Sequence, residues 1–442
     1  MPAPLTLWLV VLAAAFLVQA LSWLWVAAGL RRVRADAALV GAASPTAGAG
    51  PLAVGGEQAK GTPSPGQAGS VALSVVVAAH NEAERLPTLL GALAAQTHRP
   101  FEVVVVDDRS ADATAETVRQ WARRFPAPLR LVSVAEGEPQ AAGLPPKKHA
   151  LERGAEAAAH GRLVHTDADG RPGPDWLATV DRWSALGGLE ATAAPTSDAP
   201  AADLAAPGSL AQADRQPDGG EPGGASDGGA VLVGYGPYEP APGWLNRFVR
   251  YETVQTAVLA AAAVGHGRPW HAVGRNLSVP AAVLEQLGGY AHSAGSLSGD
   301  DDLLVQEIAR RDAAPVVYVW DATGAVPSPA PPDAAAFWRQ KRRHASAGAH
   351  YPAGVLAALG LFHTSNLALW VGAPLAHLAG HPFGWGLLAG KLLLQRSVVL
   401  GALDDLGGEP DVRLWQPVLD ALSAGYHAVL AVLGALPTPK RW

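Results

Sequence analysis

The chain has 442 residues, too many for one ordinary domain. With 16% charged residues and a net charge of −6, it has no basic excess of the kind that binds nucleic acid. It has no cysteine, which excludes a disulfide framework and any cysteine metal site. Zinc on histidine and carboxylate stays open, but the 14 histidines show no H-E-x-x-H spacing.

Residues 5 to 30, LTLWLVVLAAAFLVQALSWLWVAAGL, carry no charge over 26 positions. At 1.5 Å per residue this run is long enough to cross a hydrocarbon core of about 30 Å. It is too long for a signal-peptide core, no basic residue precedes it, and Trp23 and Trp25 lie near one end. Arg31, Arg32 and Arg34 follow at once, so the positive-inside rule puts the next domain in the cytoplasm. The first unit is therefore 1–34, an N-terminal transmembrane helix. Residues 35–69, rich in Ala, Gly, Pro and Ser without periodicity, read as a flexible linker.

From residue 71 strand and helix patterns alternate. VALSVVVAA is a strand, and residues 81–96 form a helix with Leu86, Leu89, Leu90 and Leu93 on one face and Asn81 as N-cap. FEVVVV is a buried strand ending in Asp107-Asp108. Residues 110–125 are helical with Val118, Trp121, Ala122 and Phe125 as the apolar stripe. LRLVSV, KKHALERGAEAAA and RLVHT then read as strand, helix and strand. A strand–helix repeat of roughly 30 residues predicts a parallel sheet covered on both faces. Ligands bind beyond the carboxyl ends of such strands. Those ends carry His80-Asn81-Glu82, Asp107-Asp108 and Asp167-Ala168-Asp169. Neither common glycine-rich phosphate loop is present.

Side chains repeat every two residues along an extended segment, so Asp167 and Asp169 leave the same face. They repel unless a cation lies between them. Hard oxygen ligands suit Mg²⁺ or Mn²⁺, which would neutralise a diphosphate leaving group.

Residues 185–230 are Pro-, Gly- and acid-rich and read as a disordered insert, with the domain resuming at VLVGYGPY. Residues 243–263 predict a helix that lies on the membrane, roofs an acceptor site or packs in the core. His271 reads as a structural histidine. Arg275 is offered either to an acceptor or phosphate, or to the acid cluster. Asp300-Asp301-Asp302 precede LLVQEIARR; three adjacent acids raise one another's pKa, and a helix N-terminus favours their charge.

The unit 353–442 is a set of C-terminal transmembrane or interfacial helices. Residues 353–379 and 415–436 are span candidates. Residues 382–402 carry Lys391 and Arg396, which makes them a span with buried charge or an interfacial helix. The reading favours four spans, although that places Lys440-Arg441 outside, against the positive-inside rule.

Together these segments resemble the membrane-bound family 2 glycosyltransferases, whose fold is GT-A, a Rossmann-like α/β nucleotide-diphospho-sugar transferase. SVVVAAHNEAERLPTLLGALAAQTHRPFEVVVVDDRSADAT is similar to their opening and KKHALERG to their lysine segment. HTDADGRPGPDW resembles their D-x-D. AVGRNLSVPAAVLEQLGGY and SGDDDLLVQEIAR resemble the acceptor and base segments, and WRQKRRHAS stands where their Q-x-x-R-W lies. The likeness runs through residues 71–350 apart from the insert. The flanking spans fit members such as cellulose, chitin and hyaluronan synthases.

The resemblance implies a cytoplasmic transferase domain on the cell membrane, binding a nucleotide-sugar donor such as a UDP-sugar. It implies a lipid or glycan acceptor and contact with membrane lipids. Glu82, Asp107, Asp108 and Lys147 would bind the nucleotide; Asp167 and Asp169 would hold the metal. Asp301 would be the general base, with Asp300 beside it. Gln340 and Arg343 would lie near acceptor and diphosphate. His344 replaces the usual Trp, which argues against processive polymer synthesis. Two readings compete: a non-catalytic membrane sensor of nucleotide or glycan, favoured by a missing base or broken D-x-D, and a nucleotidyltransferase, which leaves the basic Q-x-x-R segment unexplained. Both acid motifs are intact.

Overall fold

A computed structural model describes residues 3–43, 70–135, 143–184 and 229–434. Most of the linker expected at 35–69, from residue 44 on, and the expected insert up to residue 228 lie outside the described residues.

Helix α1 (Ala3–Ala43) is continuous, so the expected linker does not begin at residue 35. Val33 and Val40 lie two turns apart and are both buried against the catalytic core. The alanine-rich run between them has high helix propensity, so propensity and docking agree. Strands and helices then alternate: β1 (Leu73–Ala79), α2 (Leu86–Ala94), β2 (Phe101–Asp108), α3 (Thr114–Ala122), β3 (Leu129–Val134), α4 (Pro146–Ala157), β4 (Arg162–His165) and α5 (Trp176–Ser184). Next come β5 (Val231–Gly234), α6 (Trp244–Gly265), β6 (Leu277–Pro280), α7 (Ala281–Gln286), α8 (Asp302–Arg311) and β7 (Val316–Val319). Four helices finish the described chain: α9 (Ala334–Gly348), α10 (Ala353–Leu378), α11 (Phe383–Asp405) and α12 (Pro410–Gly434).

The strands form one sheet in the order β3-β2-β1-β4-β6-β5-β7. β3, β2, β1 and β4 are mutually parallel. The continuous apolar run of β2 follows from burial on both faces: Val103 and Val105 enter one core cluster, Val104 and Val106 another. Gly154 of α4 lets that helix lie close on the sheet, since a Cβ there would stand 2.4 Å from Val76 Cγ1. The predicted leucine stripe of α2 is buried throughout.

One strand breaks the parallel pattern. β6 runs antiparallel to both β4 and β5, with His165 opposite Leu277. Its first residue therefore stands beside the last residue of β4. The turn before it, Gly274–Asn276, is delivered to the same edge as the acidic strand ends.

Asn81 does not cap α2. It sits in the left-handed region (φ 57°), and its Oδ1 accepts from the Ala111 amide at 2.8 Å, tying the β1–α2 loop to the β2–α3 loop. A short polar side chain tolerates that conformation and rewards it locally.

Three helices among the described residues are long and apolar enough to cross a membrane: Thr6–Ala42 within α1, together with α10 and α11. α12 is not among them within the described residues; the fourth span expected at 415–436 carries Asp420 and runs past the last described residue. α11 qualifies by length and composition, and its buried lysine is paired within the helix bundle. Lys391 pairs with Asp420 of α12, and both are fully buried. Asp420 also accepts from Trp370 Nε1 (2.6 Å), Gln395 Nε2 (2.9 Å) and Tyr251 Oη (3.1 Å). A buried ion pair with every partner satisfied is the tolerable form of charge at such depth.

α1 serves two layers. Leu12 and Ala15 pack with Leu369, Ala373 and Leu388 of α10 and α11, whereas Trp23, Val26 and Leu30 belong to the catalytic core. Helix α6, open to three placements from its sequence, packs against α1 in that core. The two helices meet backbone to backbone: a Cβ on Gly29 would stand 2.3 Å from Ala262 O, and one on Gly265 2.3 Å from Gly29 O. No side-chain movement relieves such a clash. Gly29→Ala is therefore expected to cost about 1–3 kcal/mol by overpacking. Thermal melts of the detergent-solubilised protein check this, with Gly360→Ala, which meets nothing within 4 Å, expected to melt like wild type.

Candidate active site

Every candidate site residue read from the sequence lies within the described chain, and most converge on the edge to which β1, β2 and β4 point. Lys147, in the first turn of α4, is the central contact. Its Nζ reaches Asp300 Oδ2 at 2.8 Å and Asp167 Oδ1 at 3.2 Å. Burial works against its charge, but Asp167, Asp300 and Asp301 together outweigh that and keep the ammonium protonated. One lysine thus links the D-x-D after β4 to the acid triplet before α8.

Asp169 and Glu82 complete this end of the cleft. The Asp169 carboxyl is held above its usual range, first by burial and then by Asp167, against the pull of Arg275, Arg85 and Lys147. Glu82 is likewise raised, by burial foremost, while Arg85 Nη1 holds both its oxygens at 3.0 and 3.1 Å. Asp107 and Asp108, at the end of β2, are almost fully buried. Asp108 is engaged by its neighbour Arg109 (Nη2–Oδ1 2.6 Å), and Asp107 accepts from the Ser110 amide at 3.2 Å.

Asp301 is the N-cap of α8, as the sequence suggested for this run. Its Oδ1 accepts from the Asp302 amide at 2.8 Å and its Oδ2 from the Gly274 amide at 2.7 Å. Burial, then the charges of Asp302 and Asp300, push its carboxyl up to about 7, against Lys147 and His271. Asp300 is pulled the other way: burial opposes its charge, but Lys147 overrides it and holds the carboxyl below its usual value. Adjacent acids with opposite displacements are the pattern that separates an electrostatic anchor from a proton acceptor.

On the far wall, Arg275 stacks over the Tyr238 ring at 4.8 Å and donates to the Gly236 carbonyl. Its charge also acts on Asp169, so it serves the acid cluster and is mostly buried. The Tyr238 hydroxyl accepts from Gln340 Nε2 of α9 at 3.0 Å, which brings the Q-x-x-R segment to the same wall. The Ser346 hydroxyl donates to the Arg343 carbonyl, bracing α9 beside that residue. His344 stands on α9 next to Arg343 with its side chain exposed; desolvation, then the charges of Arg343 and Lys341, lower its pKa.

Three functional neighbours had no signal in the sequence. His271, read from the sequence as a structural histidine, has its Nδ1 paired with Asp302 Oδ1 at 2.7 Å, beside Asp301. Asn276 anchors its turn by donating to the Tyr235 and Gly324 carbonyls, both at 2.8 Å, and accepting from Trp176 Nε1 at 3.0 Å. Lys148 is 1% exposed and donates to the carbonyls of Ser293 (2.7 Å), Ser296 (2.9 Å) and Ser298 (3.0 Å). These close the loop that delivers Asp300 and Asp301. Burial pushes its pKa down to about 8. Only the adjacency of two lysines hinted at it; which carbonyls it meets depends on a loop some 150 residues away.

Among the described residues, no three His, Asp or Glu side chains form a ready-made metal cage. Asp167 and Asp169 supply hard oxygens of the kind a divalent cation takes.

Residues 74–180 match the family model described as "Glycosyl transferase family 2". The chain carries a family 2 glycosyltransferase domain. That glycosyltransferase-type domain holds the first four strands of the mixed α/β sheet. No curated protein matches the chain significantly. Among solved structures, it is similar to the mannosyltransferase PcManGT from Pyrobaculum calidifontis, solved with GDP-Man and Mn²⁺. Identity is 19% over 96% of this chain and 98% of that one, with a TM-score of 0.44. It is also similar to S. aureus TarS (15% identity, 82% and 54% coverage, TM-score 0.35). A third likeness is to glucosyl-3-phosphoglycerate synthase from Mycobacterium tuberculosis, solved with Mn²⁺, UDP and phosphoglyceric acid (16% identity, 56% and 68% coverage, TM-score 0.32).

Lys148→Met removes the side-chain donor shared by the Ser293, Ser296 and Ser298 carbonyls; that of Ser293 keeps the Ser296 amide, and an orphaned buried carbonyl costs about 1–3 kcal/mol. The expected outcome is a lower thermal midpoint and faster proteolysis within residues 293–301, read by melting and limited digestion.

Proposed function

We propose that this glycosyltransferase moves a sugar from a nucleotide sugar, UDP-linked in the first instance, to a lipid or short glycan at the cytoplasmic face of the cell membrane, with inversion. The observation that carries the reading is the Asp301 carboxyl. It is fixed by two backbone amides, raised to about 7, and adjacent to Asp300, which Lys147 links to the D-x-D.

In this reading Glu82, Asp107 and Asp108 receive the nucleoside. Asp167 and Asp169 hold Mg²⁺ or Mn²⁺, which when bound neutralises charge on the leaving diphosphate. Lys147 offers its ammonium to the same oxygens. The acceptor hydroxyl attacks the anomeric carbon as the bond to the diphosphate oxygen breaks, and Asp301 takes the hydroxyl proton. Asp300 stays ionised and keeps Lys147 in place. Arg275, Gln340 and Arg343 border the acceptor and diphosphate. A neutral His344 hydrogen-bonds or stacks on a sugar, a smaller platform than tryptophan provides, in keeping with a lipid or short glycan product. The three span-length helices support a membrane-attached enzyme.

Membranes holding the full chain are to be incubated with radiolabelled UDP-, GDP- and dTDP-sugars plus Mn²⁺ or Mg²⁺, and label followed into lipid-extractable and insoluble fractions. Asp301→Asn is expected to lower transfer by about 10²–10⁴-fold with donor binding retained. Donor binding without transfer by wild type would point instead to a sensor. A base must be ionised to accept a proton, so kcat of the wild type is expected to fall as pH drops below about 7, approaching tenfold per unit. A pH–rate profile flat from 5 to 8 would remove Asp301 from that role.

A further inference from the structure

Tyr351 stands at the corner between α9 and α10, the first span-length helix of the C-terminal set. Its hydroxyl donates to Asp302 Oδ2 at 2.5 Å. Asp302 Oδ1 is held from another direction, by His271 Nδ1 at 2.7 Å and the Ala272 amide at 3.1 Å. The Tyr351 ring meets Trp270 edge-on at 6.2 Å. The Asp302 carboxylate is therefore clamped between the loop that precedes β6 and the corner that leads into α10.

That clamp bears on the base. The amide of Asp302 is one of the two donors that hold the Asp301 carboxylate, and Gly274, the other, belongs to the same loop as His271 and Ala272. A shift of residue 302 moves an amide off Asp301. The charges around Asp301 come from its neighbours Asp300 and Asp302, from Lys147 on α4 and from His271, with His344 of α9 next to Asp302.

We infer that Tyr351 is a positioning residue of the transfer reaction: through Asp302 it fixes the geometry of Asp301, and so joins the base to the membrane-directed helices. This rests on the reading of Asp301 as the base. A tyrosine serving only to fill space loses little when its hydroxyl is removed, because the phenyl ring and its contact with Trp270 persist. A positioning tyrosine loses turnover while donor binding, which uses the opposite end of the cleft, is untouched.

The test uses the full chain in detergent, membrane lipid extract as acceptor, and whichever radiolabelled UDP-, GDP- or dTDP-hexose wild type transfers. Tyr351→Phe, Asp302→Asn and the double variant are compared. Expected for Tyr351→Phe is about a tenfold loss of kcat, donor KM within about twofold and a thermal midpoint close to wild type. The double variant is expected to be no slower than Asp302→Asn alone, because both substitutions break one link. Wild-type kcat in Tyr351→Phe, a change confined to donor KM, or losses that multiply in the double variant would overturn the inference alone. A wild-type chain that binds donor and transfers none would overturn the base assignment and this inference together.

Discussion

The structure turns on the concentration of carboxylates at one edge of a buried sheet. Charges of one sign in a partly desolvated cleft repel far more strongly than in water, so the edge holds only with interleaved cations. Lys147 is the chief of these, because it contacts two acid groups that arrive from different parts of the chain. Arg85 and Arg275 perform the same service for Glu82 and Asp169. Asp167 and Asp169 leave at this edge hard oxygens of the kind a divalent cation takes.

The architecture around that edge consists largely of ways to bring loops to it. Reversal of β6 carries Gly274 and Arg275 to the carboxyl end of β4. Lys148 gathers three carbonyls of the loop ahead of Asp300, and His271 and Tyr351 grip Asp302. Lys148 among them is fully buried with three carbonyl partners, the condition under which burial of such a group is tolerable. α1 also continues into the core of the domain, meets α6 at a glycine crossing and presents Val33 and Val40 to it.

Charge in the C-terminal helices follows the same rule. Lys391 looked like an obstacle to a membrane span when read alone. It is matched by Asp420 from the next helix, with Trp370, Gln395 and Tyr251 completing the set; α12 carries the compensating acid.

By itself the sequence determined the elements with a strong period or a local chemical reason. The apolar run of β2, the leucine stripe of α2, the acids at the strand ends and Asp301 at the start of α8 depend on neighbours a few residues away, and period and capping rules reach that far. Tertiary structure decided whatever depends on a distant partner. The direction of β6 is not written in four apolar residues; it is set by hydrogen bonding to β4 and β5. Asn81 looked like a helix cap because its side chain seeks a backbone amide, but the nearer amide in space belongs to Ala111. The pairing of Lys391 and the parts played by Lys148, His271 and Tyr351 share this cause. Each is fixed by a contact made only after the chain has folded back on itself, and short-range propensity carries no information about it.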